Sequence, residues 1–420
     1  MTDPSVTLLR IDHASSRVRW RRSEQSGPWT IVGGIWILIV AANAYYIVPA
    51  SVLSLIMDRL AVEPASASLL VSVMFGTQMV LGVPIGVLLD RVDNRRAIVV
   101  ATGFLIVIYA WSGWSAATDA YWSLLASRAV AAPATAAIWT AGVNVIGRTF
   151  DPVHRATAVG VFSGGPAAGF ALGLLSGPPI ADRFGWSAIF AVYAVPAIIG
   201  CAAFWIASRR IDISGGDTDV PRAVDFKRLL TDRPVWGVAL MAFLGFSLYA
   251  FVTSWVPTYL TEEFGVSLAQ GGVLVALFPA IGIFARGGSG AVSDRLFDHR
   301  RRPVAIASFA AAAPTILLIA VVETVVLVFL ALVIAGLFVQ LGIGLFYAQA
   351  RELADPNVAA TGVAFTTSMA MFGGFSAPLV GGLLIEYSGY LAAFGYAVVV
   401  ALVGLMLAWI TPEPDLYSNN

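Results

Sequence analysis

The sequence predicts an all-α polytopic membrane protein of twelve transmembrane helices in two six-helix halves. Three observations predict it. Of 420 residues, 58% are hydrophobic and only 12% charged, against about 25% charged in a soluble domain. The apolar residues lie in uninterrupted runs, and about 20 of them cross a bilayer as a helix. One residue pattern recurs on both sides of a polar segment halfway along the chain. Mean hydropathy is +0.82, and the runs lack the apolar/polar alternation of a β-barrel.

Taken in order, the first half holds spans at roughly 29–53, 67–89, 96–117, 121–147, 153–178 and 185–207. The second half holds spans at roughly 234–260, 267–293, 303–320, 324–350, 357–385 and 388–410. The first follows a basic tail and is too long for a cleaved signal peptide. Glycine and proline recur inside the spans, as membrane helices tolerate when neighbours satisfy the backbone. Residues 1–28 read as an N-terminal tail, 208–233 as a linker containing the flexible SGGDTD stretch, and 411–420 as a C-terminal tail.

Basic residues orient the chain. The N-tail carries five, and the segments after spans 2, 4, 6, 8 and 10 carry three, two, six, four and one, together 21 of the 25. Only Arg59 and Arg183 fall on the other side. Positive residues stay inside, so both termini are expected in the cytoplasm of a prokaryotic plasma membrane.

The halves repeat at an offset of 204 residues. Tyr45 maps to Tyr249, Gly86 to Gly290, Asp90 to Asp294 and Arg91 to Arg295. Gly169, Asp182, Gly185 and Phe190 map to Gly373, Glu386, Gly389 and Phe394. Parallel repeats of six spans place a solute site near the bilayer midplane, between the repeats.

After span 2 the chain reads Gly82, then Gly86, Asp90 and Arg91, then Arg95 and Arg96. Gly86 and Asp90 are one helical turn apart. A glycine there permits close helix contact, a carboxylate suits a neighbouring helix N-terminus, and the arginines suit an anionic leaflet. The spacing recurs at Gly290, Asp294 and Arg295. This resembles the loop signature of the major facilitator superfamily, G-x-x-x-D-R-x-G-R-R, over a chain stretch from about Trp29 to Ile410. Asn94 stands where the signature has glycine. The resemblance implies a secondary carrier working by alternating access, with Asp90 as a conformational latch and Asp294 as its counterpart.

Subgroup resemblances diverge. The stretches Ser254–Thr261, Phe150–Gly160 and Phe284–Arg295 look like carriers of organic or inorganic anions. Span 8 is similar to that of nitrate/nitrite carriers, yet Gly82 stands where they pair a second arginine, and span 5 lacks their Asn-Gly signature. Gly164, Gly173, Gly177 and Pro178 fit part of the span-5 signature of drug/proton antiporters. The competing reading of that stretch is a glycine face for helix packing.

Charge inside a span marks function by default. Every carboxylate falls in a tail, a loop or a span end. Arg128 in span 4 and Arg286 in span 8 lie deep, at ~10–12 Å from their surfaces at ~1.5 Å per residue. Two buried cations without carboxylates call for an anion, and arginine grips carboxylate or phosphate with two parallel hydrogen bonds. The candidate substrate-binding set is Arg128, Arg286, Tyr45, Tyr249 and Gln340, with Trp139, Asn144 and Tyr347 as weaker members. Each has a competing reading. Arg128 is equally suited to hold backbone carbonyls, Arg286 to pair with Asp294, the tyrosines to pack, and Gln340 to bridge helices.

No P-loop, domain-sized soluble segment or Cys/His cluster is legible, so no enzyme activity, cofactor or metal is expected. Zero net charge points away from nucleic acid. The expected partners are a small solute, a coupling ion where transport is driven, and the lipid bilayer, with the chain a monomer. The leading expectation is a carrier of a small organic anion. The alternatives are an efflux carrier for lipophilic compounds and a non-transporting membrane sensor.

Overall fold

The computed structural model describes residues 26–209, 232–353 and 359–412. Among them, 12 helices are long and apolar enough to cross a membrane. They are α1 Pro28–Leu60, α2 Pro64–Leu89, α3 Asn94–Ala117, α4 Tyr121–Thr149, α5 Thr157–Phe184 and α6 Ala188–Ser208. After the linker come α7 Arg233–Phe264, α8 Leu268–Leu296, α9 Arg302–Val321, α10 Val325–Leu353, α11 Thr361–Ser388 and α12 Tyr390–Ile410. The expected N-terminal tail, linker and C-terminal tail lie outside the described residues except at their edges. An even number of spans puts the start of α1 and the end of α12 on one face, called here the terminal face; the opposite one is the far face.

Local chemistry sets the helix ends. Asp93 accepts the Arg95 amide at 2.9 Å and caps α3. Ser267 and Gln270 form a capping box at the start of α8. Gly265, at φ 64°, closes α7 in the left-handed region that favours glycine. α1 runs to Leu60, beyond the expected end near 53, because the turn at Pro49 tightens to a 3₁₀ helix over Val48–Val52 and the chain resumes as α-helix from Leu53. α5 continues through Pro178 and Pro179 to Phe184.

The contacts repeat at the same offset as the sequence. A side-chain carbon on Gly169 would lie 2.6 Å from Asn43, and one on Gly373 would lie 2.8 Å from Ser247, the counterpart of Asn43. Gly177 packs on Ser51 as Gly381 packs on Trp255, again 204 residues on. Gly185 and Gly389 end α5 and α11 at φ 85° and 80°. The glycine ladder Gly165, Gly169, Gly173 and Gly177 lies against α1. The span-5 glycines therefore serve helix packing, the competing reading of that stretch. A membrane interior offers little hydrophobic gain for helix association, so close backbone packing of this kind holds the spans together.

The two sets of six helices meet along α2 with α11 and α5 with α8. The meeting points lie toward the far face: Gly382 against Pro64 and Ala65, Gly374 against Phe75, and Gly272 against the Leu174 carbonyl. Toward the terminal face the helices part. No residue of α2 from Gly76 to Leu88 is buried. The structure is thus closed at the far face and open at the terminal face.

Candidate functional site

Three backbone carbonyls, one of α2 and two of α1, surround the Arg128 side chain. Its side chain is 0% exposed. Nε donates to the Leu70 carbonyl, Nη1 to the Tyr45 carbonyl at 3.1 Å, and Nη2 to the Tyr46 carbonyl. The guanidinium also lies 4.9 Å from the Tyr45 ring centroid and 5.9 Å from that of Phe190. Every arm is committed, so the geometry gives Arg128 the structural role that competed with substrate contact. It ties α4 to α1 and α2 just before the 3₁₀ turn.

Tyr45 goes with it. Its hydroxyl shares a 2.7 Å hydrogen bond with Ser112, which in turn meets Ser127 at 2.8 Å. Its ring lies tilted against that of Tyr109, with centroids 4.3 Å apart. The expectation that Tyr45 lines a central site is corrected: the buried Arg128 charge and the serine pair hold it inside its own half. The adjacent Tyr46 occupies the seam instead, with Phe75 at 4.6 Å and Phe170 at 5.9 Å.

Those rings belong to a tier crossing between the halves. Phe75 of α2 meets Phe246 of α7 at 5.8 Å, and Phe170 of α5 meets Tyr249 of α7 at 5.3 Å. Tyr249 continues to Phe278 of α8 at 5.9 Å. Sequence reasoning missed Tyr46, Phe75, Phe170, Phe246 and Phe278. Only their aromatic character signalled them, and that also describes ordinary packing.

Arg286 sits beside this tier. Its guanidinium carbon is 5.0 Å from the Tyr249 ring centroid, a cation–π distance. Nε donates to Gln340 Oε1 at 2.7 Å. The Gln340 amide nitrogen bridges back to the Phe278 and Pro279 carbonyls at 3.2 and 3.4 Å. Gly282 leaves room for that amide, since a side-chain carbon there would lie 2.5 Å from it. Among the described residues, Arg286 Nη2 is buried without a hydrogen-bond partner. Tyr347, seven residues from Gln340 on α10, lies within electrostatic reach of the same charge. The structure therefore brings Arg286, Tyr249, Gln340 and Tyr347 together, and leaves Arg128 and Tyr45 apart from them. Trp139 stacks on Phe162 at 4.9 Å, and Asn144 donates to Asn94 at 3.4 Å.

Arg286 does not pair with Asp294. That carboxylate meets Arg301 at 2.7 Å and His299 at 3.1 Å. Arg301 also grips Glu352 with two bonds, at 3.0 and 2.7 Å. The Glu352 carboxylate, helped by Asp294, holds the Arg301 guanidinium above its already high ordinary value. This cluster joins α8, α9 and α10 at the terminal face, with Arg295 exposed beside it.

The loop after α2 is arranged differently. Arg91 is exposed at the end of α2, Arg96 lies 3.6 Å from Asp93, and Arg95 donates to the Ser208 carbonyl at the end of α6. The side chain of Asp90 lies outside the described residues. Side-chain carbons built on Gly86 and Gly290 would meet nothing within 4 Å. The expectation that these glycines permit close helix contact is corrected for this conformation, because the terminal-face ends of the helices have parted.

A sequence profile of the Major Facilitator Superfamily matches residues 34–378. The chain belongs to the major facilitator superfamily. This facilitator is 24% identical to a Haemophilus influenzae protein described as a metabolite transport protein, over 86% of this chain and 90% of that one. It is 22% identical to the hexuronate transporter of Bacillus subtilis, over 76% and 79% of the two chains. A nitrite extrusion protein of Bacillus subtilis is 21% identical over 62% of this chain and 64% of its own. A bacterial homolog of the human lysosomal transporter Spinster, in an inward-facing and occupied conformation, superposes with a TM-score of 0.77. That likeness covers 91% of this chain and 96% of the other at 16% identity, and is one of fold. This facilitator is an integral membrane transporter of small solutes and not an enzyme.

Proposed function

We propose that this facilitator is a secondary carrier of a small organic anion, working by alternating access. The observation that carries the reading is the buried, unpartnered Nη2 of Arg286. Three of its features support an anion site. Gln340 fixes the guanidinium through Nε, the Tyr249 ring supports one of its flanks, and the free arm remains to pair with a carboxylate or phosphate. The hexuronate and nitrite relatives handle anions by name, and a sugar-acid carboxylate fits the mixture of aromatic faces, hydroxyls and one cation. Basic residues concentrated on the terminal face support a cytoplasmic assignment for that face, hence an inward-open conformation of a plasma-membrane protein. Residues 29–207 and 234–410 then form the two moving halves, the chain acts as a monomer, and a solute gradient or coupling ion supplies the energy. Asp90 and Asp294, with their flanking Gly86, Gly290, Arg91, Arg95, Arg96 and Arg295, regulate the closing of the terminal face.

The test is thermal unfolding of the detergent-purified protein with a panel of hexuronate, glucarate, nitrate, phosphate and lipophilic cations. A ligand at 100 times its Kd adds about 2.7 kcal/mol to the folded state. Stabilisation by a carboxylate, lost in Arg286→Gln, is the expected result. Stabilisation by lipophilic cations alone, unchanged in Arg286→Gln, overturns the anion reading in favour of efflux of lipophilic compounds.

A further inference from the structure

The second half carries a feature outside the central site. On its outer surface α8, α9 and α10 leave an apolar groove of about 600 Å³, lined by Phe284, Val292, Leu296, Val304, Leu337 and Leu341. Phe284 is 81% exposed and Leu296 71%. At its terminal-face end the groove runs into a second hollow of about 560 Å³, and Phe297 and Ala307 line both. The chemistry changes there. Arg300, Arg302 and Trp409 line the second hollow, with the Arg302 guanidinium 5.5 Å from the Trp409 ring centroid. Arg302 and Pro303 form the first turn of α9, and the positive dipole end of a helix favours an anion.

We propose that this composite hollow is a docking site for an anionic phospholipid of the terminal-face leaflet. One acyl chain lies in the groove between α8, α9 and α10, and the phosphate sits at Arg300 and Arg302. Charge complementarity and continuity argue for that occupant. A soluble anion has no use for the apolar groove. An apolar partner has no use for two arginines at its mouth. A lipid with a negative headgroup matches both ends at once, and Trp409 stands one residue from the terminal-face end of α12, a position where aromatic side chains suit headgroups. The site lies on the helices joined by the Asp294–Arg301–Glu352 cluster, one residue away from Arg300 and Arg302 on either side. It does not rest on the anion-carrier reading.

Native mass spectrometry of the full chain in detergent, titrated with phosphatidylglycerol or phosphatidylcholine, tests it. One phosphatidylglycerol adduct per chain is expected to survive activation, with at least a tenfold preference over phosphatidylcholine. Arg300→Gln/Arg302→Gln abolishes that preference, while Arg351→Gln, an exposed arginine at the end of α10, preserves it. Gly288 lines the groove and has open space beyond its α-carbon, so Gly288→Leu fills the groove without disturbing packing and removes the adduct with both arginines intact. Equal retention of the two lipids overturns the proposal. So does an unchanged adduct in the double variant or in Gly288→Leu. Displacement of the adduct by millimolar inorganic phosphate would assign the arginines to a soluble anion and overturn it as well.

Discussion

Arg286 Nε and Gln340 Oε1 lie 2.7 Å apart and join α8 to α10 beside the aromatic tier. The bond uses one edge of a planar cation and orients the rest. Gln340 is itself held by two backbone carbonyls of α8, so the guanidinium has a fixed plane rather than a free arc.

On the proposed anion site, removing the cation should weaken binding. Arg286→Gln is expected to weaken a carboxylate substrate by roughly 10- to 100-fold, the loss of a hydrogen bond to a charged group of about 1.5–3 kcal/mol. Arg286→Lys keeps the charge but not the fork, and is expected to recover only part of the affinity. Binding isotherms of the two purified variants check this.

Tyr249 separates ring from hydroxyl. Tyr249→Phe keeps the cation–π face, and Tyr249→Leu removes it. A cation–π contact is worth about 0.5–2 kcal/mol, so Tyr249→Leu raises KM by about 2- to 30-fold. A Tyr249→Phe variant as impaired as Tyr249→Leu would assign the effect to the hydroxyl. Uptake into proteoliposomes gives both values.

Arg128 predicts a different phenotype. Arg128→Met leaves the Leu70, Tyr45 and Tyr46 carbonyls without their donor, each at a cost of about 1–3 kcal/mol. Folded yield and Tm should fall steeply, while the protein that survives binds substrate with near-normal affinity. Substrate affinity lost at an unchanged Tm would return Arg128 to the site.

Two glycines make an internal contrast. Gly169→Val forces side-chain carbons into Asn43 and the Val40 backbone, and is expected to prevent folding. Gly86→Leu meets open space in this conformation and should leave the folding stability within about 0.5 kcal/mol of the parent, as surface substitutions do. Its effect falls on the closed-terminal-face state, where the helices must approach. Transport should drop at least tenfold in a protein that remains folded and ligand-binding.

The spans were legible because bilayer thickness imposes one length on every helix, and their ends needed only proline, glycine and capping residues. The repeat was legible in Gly169/Gly373 and Gly185/Gly389, where backbone geometry permits no other residue cheaply. Arg286, Tyr249 and Gln340 stood out as polar groups in apolar runs. That argument cannot separate a ligand contact from a structural tie, which is why it also selected Arg128. The distinction depends on three backbone carbonyls that carry no residue identity. Tyr45 failed for a related reason. Two adjacent tyrosines look alike in sequence, and a buried charge on another helix decides which one turns to the seam.

The aromatic tier has a mechanical consequence. Phe75 meets Phe246 and Phe170 meets Tyr249 across the halves, with Tyr46 and Phe278 packed behind them, through ring faces and edges. Such contacts have broad minima and little directionality. In the proposed transport cycle a seam of this kind would behave as a bearing: one half could tilt on the other by sliding rings, without first breaking a directional bond. Arg286 stands beside that seam, 5.0 Å from the Tyr249 ring centroid, where a pull on its guanidinium by the proposed anion would act with the full lever arm of α8.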